Sequence, residues 1–194
     1  ASVEVGGQSA RLIEGSGGLL ITNDGVAGVL SGELDVDVGG VEAGGSLILR
    51  INNTGGAVAQ EVAIGTDTLQ IVFSESEREV FAVSLTGASL NIADVILLEG
   101  SLSFVDQNGR QVAAGADLLL FVGEGEPTLE DGSINPAARG ILISSATVGL
   151  VQEESDGETL YALEAVGTIE VIGIDDLTVS GEMTVRVNSF SSIS

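Results

Sequence analysis

The sequence predicts an all-β fold: an elongated tandem-repeat module of short, mainly antiparallel strands, arranged as an extended sandwich or in a β-solenoid-like way. Three observations lead there. Apolar and polar residues alternate with period two, as in Glu33-Leu34-Asp35-Val36-Asp37-Val38 and Glu182-Met183-Thr184-Val185-Arg186-Val187, the pattern of half-buried strands. Glycine is abundant, 28 of 194 residues; it is costly in helix interiors and reads as punctuation between short strands. The chain also repeats itself over a long period, which marks stacked or tandem architectures.

The repeat opens on Gly18-Leu19-Leu20-Ile21 and again on Gly140-Ile141-Leu142-Ile143. Gly32-Glu33-Leu34-Asp35-Val36 then matches Gly167-Thr168-Ile169-Glu170-Val171, and Gly45-Ser46-Leu47-Ile48-Leu49-Arg50 matches Gly181-Glu182-Met183-Thr184-Val185-Arg186. The offset is 122 residues at the start and about 136 at the end, which implies a short insertion in the second copy. The N-terminal Ser2-Val3-Glu4-Val5-Gly6-Gly7 corresponds to Leu118-Leu119-Leu120-Phe121-Val122-Gly123, so the first copy starts in mid-repeat. Three segments follow: a first unit over 1–123, an acidic connection with both prolines over 124–139, and a partial second unit over 140–194.

Taken in order, the alternating runs around 33–38, 46–51, 101–104 and 182–187 are strands. Asp106-Gln107-Asn108-Gly109 between two such runs is a hairpin turn, with Asn-Gly supplying the positive φ angles of type I′. Asn23-Asp24-Gly25, Asp131-Gly132 and Asp156-Gly157 are further turn signals. The segment from Ser74 to Val80, with Glu75, Glu77 and Glu79, reads as an exposed edge strand or loop. A finer rhythm pairs Gly32 with Gly45, Gly87 with Gly100 and Gly167 with Gly181. A spacing near 13 residues is about one strand and one turn, and predicts meander hairpins.

Composition narrows the function classes. Hydrophobic residues make up 44% of the chain, enough for a folded core. Acidic residues number 29 against six Arg, with no Lys or His, for a net charge of −23. Such a chain repels phosphate backbones and anionic membrane surfaces, so nucleic acid is not an expected partner. No apolar run approaches the roughly 18 to 20 residues of a membrane helix, so membrane insertion is not expected. An acidic surface suits a saline or extracellular setting. Aromatic content is 3%, with no Trp, too little for the girdles of a membrane barrel. Chemistry that relies on Cys, His or Lys is excluded by their absence.

Carboxylates are the remaining reactive groups. Glu153-Glu154 and Asp175-Asp176 are adjacent pairs, and adjacent strand residues point to opposite faces. Neither pair therefore converges as a hydrolase pair would need to. Calcium is the stronger chemical candidate, because Asp106 and Asn108 before Gly109 have the Asp-x-Asn-Gly spacing of calcium loops. An ordinary hairpin turn accounts for the same residues. Asn23 with Asp24, and Glu124 with Glu126, are looser candidates. Glu33, Asp35 and Asp37 read as the wet face of a strand, and Arg50 and Arg186 as structural partners of acids on neighbouring strands. Asn52-Asn53-Thr54 is a glycosylation sequon, meaningful only in a secreted eukaryotic context. None of the paired glycines forms a phosphate loop, for want of Lys.

Gly18-Leu19-Leu20-Ile21 with Gly25-Val26-Ala27-Gly28, Gly45-Ser46-Leu47-Ile48-Leu49-Arg50-Ile51-Asn52-Asn53-Thr54-Gly55, and Leu98-Glu99-Gly100-Ser101-Leu102-Ser103-Phe104 resemble the modules, roughly 120 residues long, of giant bacterial exoproteins. Those proteins often carry hemolysin-type calcium repeats nearby. The resemblance implies a cell-surface or secreted structural protein and carries over no catalytic residue. The expected function is a non-enzymatic extracellular scaffold module without a required cofactor. Its partners are copies of itself or neighbouring repeats. A calcium-dependent adhesin or carbohydrate-binding module is the alternative, followed by a β-solenoid enzyme acting on glycosides.

Overall fold

A computed structural model describes residues 2–5, 8–155 and 157–190. Gly6 and Gly7, which end the string matched to 118–123, and Asp156 of the expected Asp-Gly turn lie outside the described residues. The main sheet has ten strands: β1 (Ser2–Val5), β2 (Gln8–Ile21), β3 (Val26–Val38), β4 (Val41–Asn52), β7 (Val80–Ile92), β8 (Ile96–Gln107), β9 (Arg110–Glu124), β10 (Arg139–Ser155), β11 (Glu158–Ile172) and β12 (Val179–Asn188), side by side in that order. All its pairings are antiparallel. Between β4 and β7 the chain makes a separate two-stranded hairpin, β5 (Val58–Ile64) and β6 (Asp67–Phe73), then a 3₁₀ turn over Glu75–Glu77. Among the described residues, no helix is long and apolar enough to cross a membrane.

The all-β, antiparallel class is as expected, but the strands are longer than the glycine spacing suggested. In the main sheet, β2 to β12 run from 10 to 17 residues. Their order follows the sequence in one open meander, so the chain builds neither stacked coils nor two matched layers. Many glycines sit inside strands. The pairing register shifts at Ile13/Ser16, Gly44/Ser46, Leu85/Ala88, Glu99/Ser101 and Ser144/Thr147. These bulges fall near the middle of successive strands and form a line across the sheet. Gly45 and Gly100 take φ of 136° and 133° there, a conformation that side-chain-bearing residues rarely adopt. The 13-residue rhythm therefore runs from the middle of one strand to the middle of the next, one strand plus one turn as expected of meander hairpins, with the glycines at the bulge line and not in the turns.

Register also corrects the long repeat. Leu34 faces Gly45 and Val29 faces Arg50 in the β3–β4 hairpin. Ile169 faces Gly181 and Glu164 faces Arg186 in β11–β12. The two hairpins thus pair in the same register. The opening strings do not correspond: Gly18 faces Val29 near the end of β2, whereas Gly140 starts β10 and faces Ile172. The β10 residue at the register of Gly18 is Gly149, opposite Glu164.

Turn chemistry follows local sequence. Asn108 and Gly109 have φ of 52° and 80°, and Gln107 pairs with Arg110, so β8 and β9 close through the expected two-residue turn. Gly39 and Gly40 close β3 and β4 in the same way. The segment from Ser74 is neither an edge strand nor simple coil. Ser74 Oγ and its amide both donate to the Glu77 carboxylate at 2.9 Å, which stabilises the 3₁₀ turn.

Two small cores lie under two covers. The β5–β6 hairpin buries Ile71 and Phe73 against Ala27 and Val80, with Leu20, Val29 and Ala82 packed around them. Gly18 makes this approach possible, since a Cβ there would collide with Leu69. The segment 125–138 folds back so that Ala138 packs on Phe121, Leu142 and Ile172.

Candidate functional site

Cross-strand partners share a face, and successive residues alternate. Tracing both rules across the sheet separates two faces of unlike chemistry. The covered face carries Ala27, Val29, Val80, Phe121, Leu142 and Ile172 beneath the hairpin and the 125–138 segment. Outside the covers it carries charge: Arg11, Glu33, Asp35, Asp37 and Glu42 on β2 to β4, Glu99 on β8, and Glu164, Glu170, Glu182 and Arg186 on β11 and β12. The opposite face is aliphatic from β2 to β12, with residues such as Leu34, Leu49, Val83, Leu102, Leu150 and Val185. Near strand ends it carries charge at Asp106, Glu124 with Arg139, and Glu154, and the exposed Glu14 and Asp117 stand in mid-strand on the line of bulges.

Among the described residues, nothing covers the second face. Of the described residues, every large buried apolar side chain of the main sheet lies on the first face, and the one buried hydrophobic residue on the second is Ala88. Leu19 and Ile21 protrude from it, 59% and 72% exposed. Glycines 17 and 28 leave a shallow depression there between Leu19, Leu30, Leu49 and Ile51.

On the first face, the hairpin is fastened by a polar lock. Asn52 is fully buried at the end of β4. Its Nδ2 donates to the carbonyls of Gly56 and Glu77 at 2.9 and 2.8 Å, and its Oδ1 accepts from the Thr54 amide and hydroxyl at 3.1 and 2.8 Å. All its bonding capacity toward these groups is used, as burial demands. Arg50 donates to Glu77 at 2.8 Å and lies 4.6 Å from the centre of the Phe73 ring. The Ser74 amide, helped by its hydroxyl and by Arg50, holds the Glu77 carboxyl below the usual range against a smaller opposing effect of burial.

The nominated calcium ligands stand apart in their bonding. Asp106 Oδ2 accepts from Gln111 Nε2 at 3.0 Å, and Asn108 Nδ2 donates to the Ser76 carbonyl at 3.2 Å. Both are engaged in closing the β8–β9 turn and tying it to the 3₁₀ turn. Among the described residues, no group of three or more Asp and Glu is placed to hold a metal ion. Asn23 and Asp24 lie in the β2–β3 turn, where Thr22 Oγ1 accepts from the Asp24 amide at 3.2 Å. Glu126 lines an acidic trough on the charged face together with Asp35, Asp37, Glu42 and Glu99. Glu153 and Glu154 point to opposite faces, and Asp175 and Asp176 lie between β11 and β12.

Two expectations need correction. Asn52 cannot serve as the sequon acceptor in the folded chain, because its amide nitrogen is buried and already donates twice. Arg186 does pair with an acid on its neighbouring strand, Glu164 at 2.8 Å. Arg50 does not: its cross-strand neighbour is Val29, so it turns to Glu77 from the 3₁₀ turn. Sequence reasoning missed the bare face as a site. The signal was the lack of charge at every second position of consecutive strands, visible once register is known. Compared with known proteins, the chain matches no family model, no curated protein and no solved structure.

Proposed function

We propose that the chain is a non-enzymatic structural module of an extracellular or cell-surface protein, a flat scaffold that joins to copies of itself or to neighbouring repeats. The observation supporting this reading is the division of the ten-stranded sheet into one charged, partly covered face and one uncovered aliphatic face. Such a surface offers area and apolar contact but little catalytic chemistry. Each main-sheet strand pairs with its sequence neighbours in that sheet, so contacts are local and further hairpins can extend the array. The shared register of β3–β4 and β11–β12 supports reading these hairpins as copies of one unit. The strong negative charge keeps the polar face hydrated in salty surroundings.

The test is to challenge the purified chain with chromogenic glycosides, a glycan array and a calcium titration against chelator. The scaffold reading predicts no turnover, no saturable sugar binding and a melting temperature unmoved by millimolar calcium. Sugar binding that needs calcium, with a rise in melting temperature, replaces it with the adhesin reading. Hydrolysis replaces it with the enzyme reading.

A further inference from the structure

We propose that the bare aliphatic face is closed by the same face of a second copy, giving a two-layer sandwich with both charged faces outward. The inference deepens the scaffold reading and rests on it for the choice of a second copy over an unrelated partner.

Area supports this occupant. The chain exposes 12167 Å². A compact monomer of its mass would expose about 8,500 Å², leaving an excess of about 3,600 Å². A stable interface takes about 800 Å² from each partner, and obligate dimers more. Less than half of the excess is therefore enough. The uncovered face is the region where that area is aliphatic and continuous.

Charge selects the orientation. Two copies, each at −23, repel through their acidic faces. Face-to-face contact through Leu34, Leu49, Val83, Leu102, Leu150 and Val185 brings together surfaces whose charge is confined to strand ends and to Glu14 and Asp117 at the bulges. Sheets pack about 10 Å apart with strands near parallel, and a two-fold axis lets one self-complementary patch serve both copies. The depression at Gly17 and Gly28 provides a hole for a protruding side chain of the facing sheet.

Sedimentation of the full chain over a range of concentrations tests the proposal. The expected species is a dimer of twice the 19.5 kDa chain mass. Leu49→Glu should raise its dissociation constant about a hundredfold or more, the effect of disrupting a buried contact. Ile48→Glu places the same charge one residue away on the opposite face, where Ile48 is 47% exposed, and should leave the dimer intact. Should Leu49→Glu fail to fold, labelling replaces it, since the chain has no cysteine. A thiol in Leu49→Cys should resist maleimide in the dimer, while one in Ile48→Cys reacts. A monomeric wild type, equal effects of both charges, or equal labelling rates would overturn the proposal. So would a monomer that floats with phosphatidylcholine vesicles, because a bilayer would then cover the face. A monomer that also shows no turnover or sugar binding overturns the face-to-face contact while leaving the scaffold reading in place.

Discussion

The Arg50 guanidinium reaches Glu77 at 2.8 Å while lying over Phe73, so one side chain ties β4 both to the end of β6 and to the 3₁₀ turn. The hairpin touches the main sheet mainly near β2 and β3. Arg50 and Asn52 provide its anchorage on the other flank.

Arg50→Ala should therefore destabilise the fold by about 1–2 kcal/mol, combining the ring contact, the partly exposed ion pair and lost stem packing. Arg186→Ala, at the matching register, should change stability by less than about 0.5 kcal/mol. Its pair with Glu164 is more open, with side chains 70% and 55% exposed. Urea unfolding of both variants measures the contrast. Equal losses would show that the lock is not at Arg50.

Glu77 gives the hairpin a pH dependence. Its carboxyl is lowered from 4.5 in the folded chain, chiefly by the Ser74 amide. A depressed folded value means that the stabilisation is present above the unfolded value near 4.5 and is lost as pH falls through the lower folded value. Glu77→Gln should lower stability at neutral pH and reduce the loss below pH 4.5 relative to wild type. Thermal melts across the acid range read this directly. An unchanged acid limb in the variant would contradict it.

Asn52→Ala should cost about 2–3 kcal/mol, because it leaves buried groups without partners. The same geometry predicts that the folded protein, from whatever host, carries no glycan on Asn52, whose buried amide has no room for one. Mass spectrometry checks the second point, and a glycan on Asn52 of the folded protein would refute the placement.

The line of bulges predicts that Gly100→Ala costs about 1–3 kcal/mol, although the side chain added is one methyl group. A Cβ at Gly100 would meet the carbonyl of Asp117 at 2.8 Å in a backbone with φ of 133°. Gly149→Ala, with open space around it, should be nearly neutral. Denaturant midpoints for the pair separate strain at the bulge from glycine replacement in general.

The strand class, the Asn108-Gly109 turn and the wet strip of Glu33, Asp35 and Asp37 were all legible in the sequence, because each depends on neighbours a few residues apart. Strand length was not. A glycine inside a bulged strand and a glycine in a turn look alike until register is known, as Gly45 and Gly40 illustrate. The similarity of Gly18 and Gly140 misled for the same reason: aliphatic strings recur at either end of a long strand. The hairpin anchor was hidden because Arg50 and Glu77 meet through a loop excursion and not through a strand pair. The bare face needed the whole sheet order, since it is made of alternate residues from successive strands.

The most direct measurement is an isotope-filtered methyl NMR experiment on mixed labelled and unlabelled copies. The account predicts intermolecular contacts from the methyls of Leu49, Val83, Leu102 and Val185, and none from Val29 or Ala82 beneath the hairpin. A filtered spectrum without contacts from the aliphatic face, at concentrations where the chain is folded, would contradict it.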